Sequence, residues 1–362
     1  MNGKRKATIT DVARLAGVST ATAGRVLGGY GYSSGEKKDR VLKAAEDLGY
    51  RPNLLARGLI TGRTRTIGFV AGDIASPFYA RILRGVSDAL KEQGFGLLIT
   101  TSDETLAGEL ESIRLFQEKQ VDGIILSPCD TRDADHLRRL AASIPMVLID
   151  REVEGLAVDS VGIDNVAVAE AQVAGLIAAG HHRIGMVAEL HAGPWRDLPD
   201  VIRRVREAPG SLGTLYPSWQ RFIGYVRAHH AAGLEVDPSL TARADSYARE
   251  AARLQTARLL ALPDRPTALF TADGVMTEGA MAAVVDAGLR LPQDLSFLAF
   301  DDLDWMDLLR PGIDAISQPR RQMGEVAARM LIDRLDGLEA PRRREKLAVR
   351  SITRGSVAPI RL

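Results

Sequence analysis

One cysteine, Cys129, in 362 residues leaves no partner for an intramolecular disulfide and too little sulfur for a multi-cysteine zinc site. Such sparing use is expected of a chain kept in a reducing compartment. Charge of one sign is also missing: 47 Lys and Arg stand against 46 Asp and Glu, a formal net charge of +1. No apolar run approaches the ~18 residues of a membrane span, and even 166–180 is broken by Glu170 and Gln172. The start, MNGKRKATITDVARLAGV, lacks the apolar stretch of a secretory leader, so a cytoplasmic protein with no membrane partner is expected. Nucleotide and hydrolase signatures are absent as well. Gly94 and Gly96 lack the third glycine of a dinucleotide fingerprint, and neither a P-loop nor a Gly-x-Ser-x-Gly elbow occurs. The adjacent pairs His181-His182 and His229-His230 point apart on a helix, a poor metal geometry. Cys129 reads as a small buried or cleft-lining residue. No catalytic residue, metal or cofactor is therefore expected, and the chain does not read as an enzyme.

What is present is 46% hydrophobic and 26% charged residues, enough for two or three domains at roughly 150 residues each. The near-neutral total hides an asymmetry. Residues 1–66 carry 13 basic and 5 acidic side chains, a balance of +8, and the remainder carries −7. A small basic segment on a large acidic body points to a nucleic-acid-binding module on a carrier. Within that segment Thr10 is a candidate N-cap for a short helix whose apolar face is Val12, Ala13, Leu15 and Ala16. Gly17 interrupts it at a tight turn, and Ser19 caps a second helix facing inward with Ala23, Val26 and Leu27. Ser34 caps a third, with Val41, Leu42, Ala45 and Leu48 at helical spacing until Gly49. Lys37, Lys38, Arg40 and Lys43 line its polar face. The arrangement is a helix-turn-helix.

From Ile67 onward apolar strand-like runs alternate with amphipathic helices, the pattern of parallel α/β layers. The runs are 67–73, 96–103, 122–128 and 146–151, then 184–190, 267–274 and 295–302. IGFVA at 67–71 and IGMVA at 184–188 open two similar halves. Asp73, Asp103, Asp150, Asp273 and Asp301 stand at strand ends, where open α/β sheets bind ligands. Carboxylates there accept paired hydroxyl hydrogen bonds, so a polyhydroxylated ligand fits the cleft between the halves.

The stretches TITDVARLAGVS, RVL, RVLKAAEDLGYRPN and ARGL resemble the LacI/GalR family of bacterial transcription repressors, and the resemblance runs through nearly the whole chain. It implies a helix-turn-helix DNA-binding domain over 1–50 and a minor-groove hinge over 51–66. Residues 67–362 would then form a periplasmic-binding-protein-like core of two parallel-sheet subdomains that also dimerises. It further implies that Thr20, Ala21 and Arg25 read base edges of double-stranded operator DNA, while Ser19 and Thr22 hold phosphates. Tyr32, Asn53, Ala56 and Arg57 join the DNA contacts, and Leu59 acts as a minor-groove wedge. Ala23 and Gly24 depart from the family's usual Val and Ser. In the core, the family pattern places effector contacts at Asp73, Ser76, Phe78, Asp150, Arg151, Arg221, Asp273 and Asp301. Ala272 replaces a frequent ligand-reading Asn, and the segment 189–219 is longer than usual. The basic stretch 342–346 reads as a solvated loop. The implied protein is a homodimeric repressor governed by a small sugar-like effector. The alternative is a non-exported sugar sensor or solute-binding-protein homologue without operator control.

Overall fold

The structure is a computed structural model that describes residues 7–28, 35–50, 63–190, 197–208 and 215–360. It divides into two compact units, Met1–Thr66 with Lys119–Asp122, and Ile67–Glu118 with Gly123–Leu362.

Among the described residues the smaller unit holds three helices, α1 (Ile9–Ala16), α2 (Thr20–Gly28) and α3 (Gly35–Asp47). The cap of α1 is Thr8 and not Thr10. Thr8 finds Asp11 three residues on, and the two close a reciprocal capping box that Thr10, followed by Ala13 at the same spacing, has no carboxylate to complete. Gly17 takes the left-handed φ of 65° that ends α1. Ser19 caps α2 as expected, its Oγ accepting from the Thr22 N–H at 3.1 Å. Ser34 lies outside the described residues. The core is made of small side chains: Val12, Ala13, Ala16, Ala23, Val41, Ala44 and Ala45 are buried, and Val26 and Leu27 pack on them. Leu15, Leu42 and Leu48, expected inside, are exposed. On α3 the inward stripe runs 41, 44, 45, which turns 42 outward, while Leu48 lies past the helix end at Asp47.

The larger unit contains two sheets of six strands. The first half comprises β1 (Thr66–Ala71), α4 (Pro77–Glu92), β2 (Gly96–Thr101), α5 (Leu106–Glu118), β3 (Gly123–Leu126), α6 (Asp135–Ala141), β4 (Met146–Ile149) and β5 (Asp159–Gly162). The second comprises α7 (Asn165–Ala178), β6 (Ile184–Ala188), α8 (Leu198–Glu207), α9 (Pro217–Ala231), β7 (Thr241–Arg243), α10 (Arg249–Leu260), β8 (Ala268–Thr271), α11 (Gly274–Asp286), β9 (Ser296–Phe300) and β10 (Asp314–Ser317). The chain then returns to the first half as α12 (Arg320–Leu335) and β11 (Arg344–Lys346), and ends its strands in the second with β12 (Arg350–Ile352). Strand orders are β11-β5-β4-β3-β1-β2 and β12-β10-β9-β8-β6-β7, one order repeated. The ladders β1–β3, β3–β4, β4–β5 and β6–β8, β8–β9, β9–β10 are parallel, whereas β12 runs antiparallel to β10. Strands such as β3, β4, β6 and β9 are buried along their whole length, as parallel strands covered on both faces must be.

Three short crossovers, at 163–164, 318–319 and 347–349, therefore join the halves. Close helix packing fixes each half internally. A Cβ on Gly85 of α4 would sit 2.0 Å from the Arg321 carbonyl oxygen, and one on Gly324 of α12 would sit 2.1 Å from that of Ile82. Reciprocal glycines let these two helix backbones touch.

Strands β5, β7, β10, β11 and β12 were not expected from the sequence, and the stretch 342–346 is not a solvated loop. Its residues 344–346 pair in parallel with β5. The anchor is Asp159, whose side chain is fully buried and takes Arg334 at 2.8 Å and Arg343 at 2.7 Å. Burial alone would raise this carboxyl; the hydrogen bonds from the two arginines hold it below the usual carboxylate range. Among the described residues no helix is long and apolar enough to cross a membrane. Asp159→Asn is expected to cost about 2–3 kcal/mol, because it leaves the partly buried Arg334 without its carboxylate and Arg343 with Asp333 alone; an unchanged urea midpoint at pH 7 would refute the anchoring role.

Candidate functional site

In the smaller unit α2 presents Thr20, Ala21 and Arg25 to solvent, while Ala23 faces the core. Ala21 and Arg25 lie one turn apart on one face, and the Arg25 Nε reaches back to the Ala21 carbonyl at 3.4 Å. Ser19 and Thr22 bond each other through their hydroxyls at 2.8 Å, so both are engaged in starting the helix. Their oxygens still flank the helix N-terminus, where backbone dipoles favour an anion. Tyr32, Asn53, Ala56, Arg57 and Leu59 lie outside the described residues.

In the larger unit, residues at the carboxyl ends of strands from both halves line one cleft. Asp150 and Arg151 follow β4; Asp301 follows β9, which holds the equivalent place in the other sheet. Asp150 and Asp301 both adopt left-handed backbone, with φ of 68° and 74°. Such conformations concentrate where a side chain must be aimed. Asp273, after β8, caps α11 by accepting from the Met276 N–H at 2.9 Å and also lines the cleft. The cap reading and the cleft reading hold together there.

Two guanidinium groups organise this wall. Arg221, on the second turn of α9 and 4% exposed, donates through Nε to Asn165 Oδ1 at 2.9 Å and through Nη1 to the Ala272 carbonyl at 2.5 Å. Its guanidinium carbon lies 3.7 Å from the centroid of the Phe300 ring. Ala272 thus contributes a carbonyl where an Asn side chain was noted as missing. Arg151 forks onto Glu104 at 2.5 and 2.9 Å, donates to the Pro128 carbonyl at 3.0 Å, and lies 4.8 Å from the ring centroid of Tyr216 in the other half. Gly72 makes room for this: a Cβ there would meet Glu104 Oε1 at 2.1 Å and the Tyr79 hydroxyl at 2.7 Å.

Burial shapes the protonation states. It raises the Asp273 carboxyl to about 7, a rise reinforced by Glu189 and Asp301 and opposed by the Met276 N–H and Arg221. It likewise raises Asp150, against the pull of Arg151 and Arg221. The phenols of Tyr79, Tyr216 and Tyr247 are pushed up by burial and stay protonated donors. Burial and Glu109 together push the Cys129 thiol up, which keeps it a poor nucleophile.

Of the residues singled out from sequence, Phe78, Asp150, Arg151, Arg221, Asp273 and Asp301 line the cleft, and Asp73 and Ser76 do not. Asp73 accepts from the Ala75 N–H in a turn, and Ser76 caps α4 beneath Phe78. The cleft also takes Tyr79, Glu104, Glu189, Tyr216, Pro217, Ser218, Tyr247 and Gln318. Glu104 and Glu189 were within reach of the strand-end argument: the chosen neighbour Asp103 is exposed and accepts from the Thr101 hydroxyl. Tyr247 and Gln318 follow β7 and β10, strands too short to be seen. Free space in the cleft is about 60 Å³, room for roughly four or five waters. At a separate pocket Arg81 of the first half meets Asp304 of the second at 2.5 Å.

The chain matches the model of bacterial regulatory proteins of the lacI family over residues 8–53 and a periplasmic binding protein-like domain over 173–357. It is 33% identical over 359 residues to the HTH-type transcriptional regulator PtxS of Pseudomonas plecoglossicida, covering 99% of this chain and 97% of that one. It belongs to the lacI family of bacterial regulatory proteins. The solved complex of the transcriptional regulator CelR with cellobiose aligns with a TM-score of 0.68 at 29% identity, over 97% of this chain and all of that one. The lac repressor dimer bound to operator and the anti-inducer ONPF shares the fold with a TM-score of 0.80 at 21% identity, over 98% and 100%. PtxS and CelR are transcriptional regulators, and the lacI-family fold here carries the same two-part plan.

Because the folded chain holds the Asp273 proton more tightly than the unfolded chain does, stability should fall as pH rises from about 4 to about 7 and then level off. Asp273→Asn keeps a capping oxygen and removes this loss. It should gain at least about 1 kcal/mol on the parent at pH 8, one pKa unit being about 1.4 kcal/mol, and nothing at pH 4. Thermal unfolding at both values checks this, and equal differences at both would remove the carboxyl as the cause.

Proposed function

We propose that this chain is an effector-governed repressor that binds a near-palindromic operator as a homodimer. In this reading residues 1–50 form the DNA-binding domain, 51–66 the minor-groove hinge and 67–362 the sensing and dimerising core. The observation that carries it is the convergence of Asp150 and Asp301, one from each half, on a single cleft in a chain that also bears a lacI-family helix-turn-helix. A ligand bonded to both carboxylates couples the halves, whose relative angle is set by the three crossovers and by contacts such as Arg81–Asp304 and Arg151–Tyr216. A change of that angle shifts the population able to dock two helix-turn-helix units on DNA. The ligand class is a small polyhydroxylated molecule, which the acceptor-rich strand ends suit and which the cellobiose held by CelR parallels. Its place of action is the cytoplasm, where operator DNA resides.

In the DNA unit Arg25 is the base reader and Thr20 and Ala21 its neighbours on the exposed face of α2; Ser19 and Thr22 sit at the phosphate. Tyr32 joins the DNA contacts of residues 1–50, and the hinge contacts fall to Asn53, Ala56, Arg57 and the wedge Leu59.

An operator recovered by selection from random duplexes serves as the probe. Arg25→Ala should relax sequence preference at one position, a loss of about 1–3 kcal/mol there, whereas Lys38→Ala should weaken all duplexes alike and lower the salt slope by about 1. Equal, sequence-blind losses from both would reduce Arg25 to a phosphate contact. Effector candidates added to the preformed complex should move its affinity in one direction. Tight binding in the cleft with DNA affinity unmoved would leave a sensor without operator control.

A further inference from the structure

Where the second crossover runs into α12, the larger unit has an open pocket of about 660 Å³ that is separate from the cleft. Its walls come from both halves, with Arg81 on α4 of the first and Asp302 and Asp304 after β9 of the second. Gln318, Pro319 and Ala348, which belong to two of the three crossovers, complete it with Arg320 at the start of α12 and Arg350 at the start of β12. Charge on this lining does not cancel. Arg81 meets Asp304 at 2.5 Å, and Arg321 meets Glu325 at 3.1 Å and Asp88 at 3.0 Å. Asp302 meets Arg354 at 2.8 Å, in a contact that leaves its Oδ1 without a hydrogen bond. Every acid of the lining is thus ion-paired, whereas Arg320 and Arg350 have no ion pair among the described residues.

For Arg350, exposed at the surface, that is ordinary. Arg320 is different. It is only 8% exposed, its Nη2 donates to the Asp302 carbonyl at 2.6 Å, and its Nε and Nη1 meet no acceptor among the described residues. A guanidinium so far out of water calls for a counter-charge. The backbone has the same sense. Helix α12 begins here on Pro319 with no side-chain cap, and the N–H groups of Arg321 and Gln322 meet no acceptor among the described residues. Free amides at a helix N-terminus add positive potential to that of the two arginines.

We propose that this pocket is a second ligand site, which takes a small molecule by a phosphate group held between Arg320, Arg350 and the first amides of α12. It lies apart from the effector cleft and does not rest on that reading. A phosphate offers three terminal oxygens, enough to serve a guanidinium fork, a second arginine and the backbone amides together. A carboxylate has two oxygens to divide among the same three groups. Free phosphate and a phosphorylated metabolite share this chemistry. Arg81 stands on the same lining, but its pairing with Asp304 withholds it from the anion. Because both halves and two crossovers build the pocket, its occupant bears on the angle between the halves.

The test is phosphorus NMR titration of the full chain at pH 7 and constant ionic strength, with inorganic phosphate and a hexose 6-phosphate as separate probes. At least one probe should bind saturably. Arg350→Ala should weaken that binding severalfold and Arg320→Gln about tenfold or more, with thermal melts checking that each variant folds. Asp304→Asn alters a side chain that is 82% exposed and releases Arg81. It should tighten binding severalfold, a gain that damage to the fold would not imitate. A tighter ester identifies the occupant as a phosphorylated metabolite and equal affinities identify it as free phosphate; either result keeps the site. No saturable binding of either probe by the parent and by Asp304→Asn overturns the proposal. So does an affinity unmoved by both arginine variants, or one that survives them and is lost in Arg221→Lys, which would put the anion in the cleft.

Discussion

Arg221 is the group on which the larger unit depends. It is a guanidinium taken out of water, and such a charge is tolerated only where its donors are met and opposite charge is near. Asn165 at the start of α7, the Ala272 carbonyl after β8 and the Phe300 ring at the end of β9 meet that demand together. Four segments of the second half are thereby held in register around one side chain. In turn its positive field makes it tolerable to collect Asp150, Asp273 and Asp301 within one cleft. Take it away and Asp150 and Asp273 lose a cation that opposes the rise burial gives their carboxyls.

The same logic of shared charge recurs at the back of the first half. Asp159 fixes α12 and β11 to β5 through Arg334 and Arg343, so the chain that left this half at residue 163 is tied back into it. The reciprocal glycines at 85 and 324 do by close contact what Asp159 does by charge. Each half is tied up within itself, and between the halves stand the three crossovers and contacts such as Arg81–Asp304. Gln318 stands at one of these crossovers and holds Asp301 directly. A ligand that disturbs this amide acts on a joint as well as on a wall.

Much of this was legible in the residues. The helix-turn-helix showed itself through Gly17 and Ser19, because turn and cap chemistry are local. The long buried strands showed themselves as apolar runs, and Asp150, Asp273 and Asp301 as acids at their ends. Strands of three or four residues such as β7 and β11 were hidden, since period-two patterning needs more length than they have. With them went Tyr247 and Gln318, and the role of Arg343. Leu15 and Leu42 misled because the inward stripes run 12, 13, 16 and 41, 44, 45, and Leu48 because it lies past the last residue of α3. Asp73 misled because a strand-end acid can as readily close its own turn.

The 60 Å³ of free space between the two halves bears on affinity. A hexose-sized molecule needs more room than that, so halves that hold one must stand further apart than the Arg81–Asp304 and Arg151–Tyr216 contacts allow. Only the open fraction of molecules would then accept it, and its apparent affinity would be lowered by that fraction.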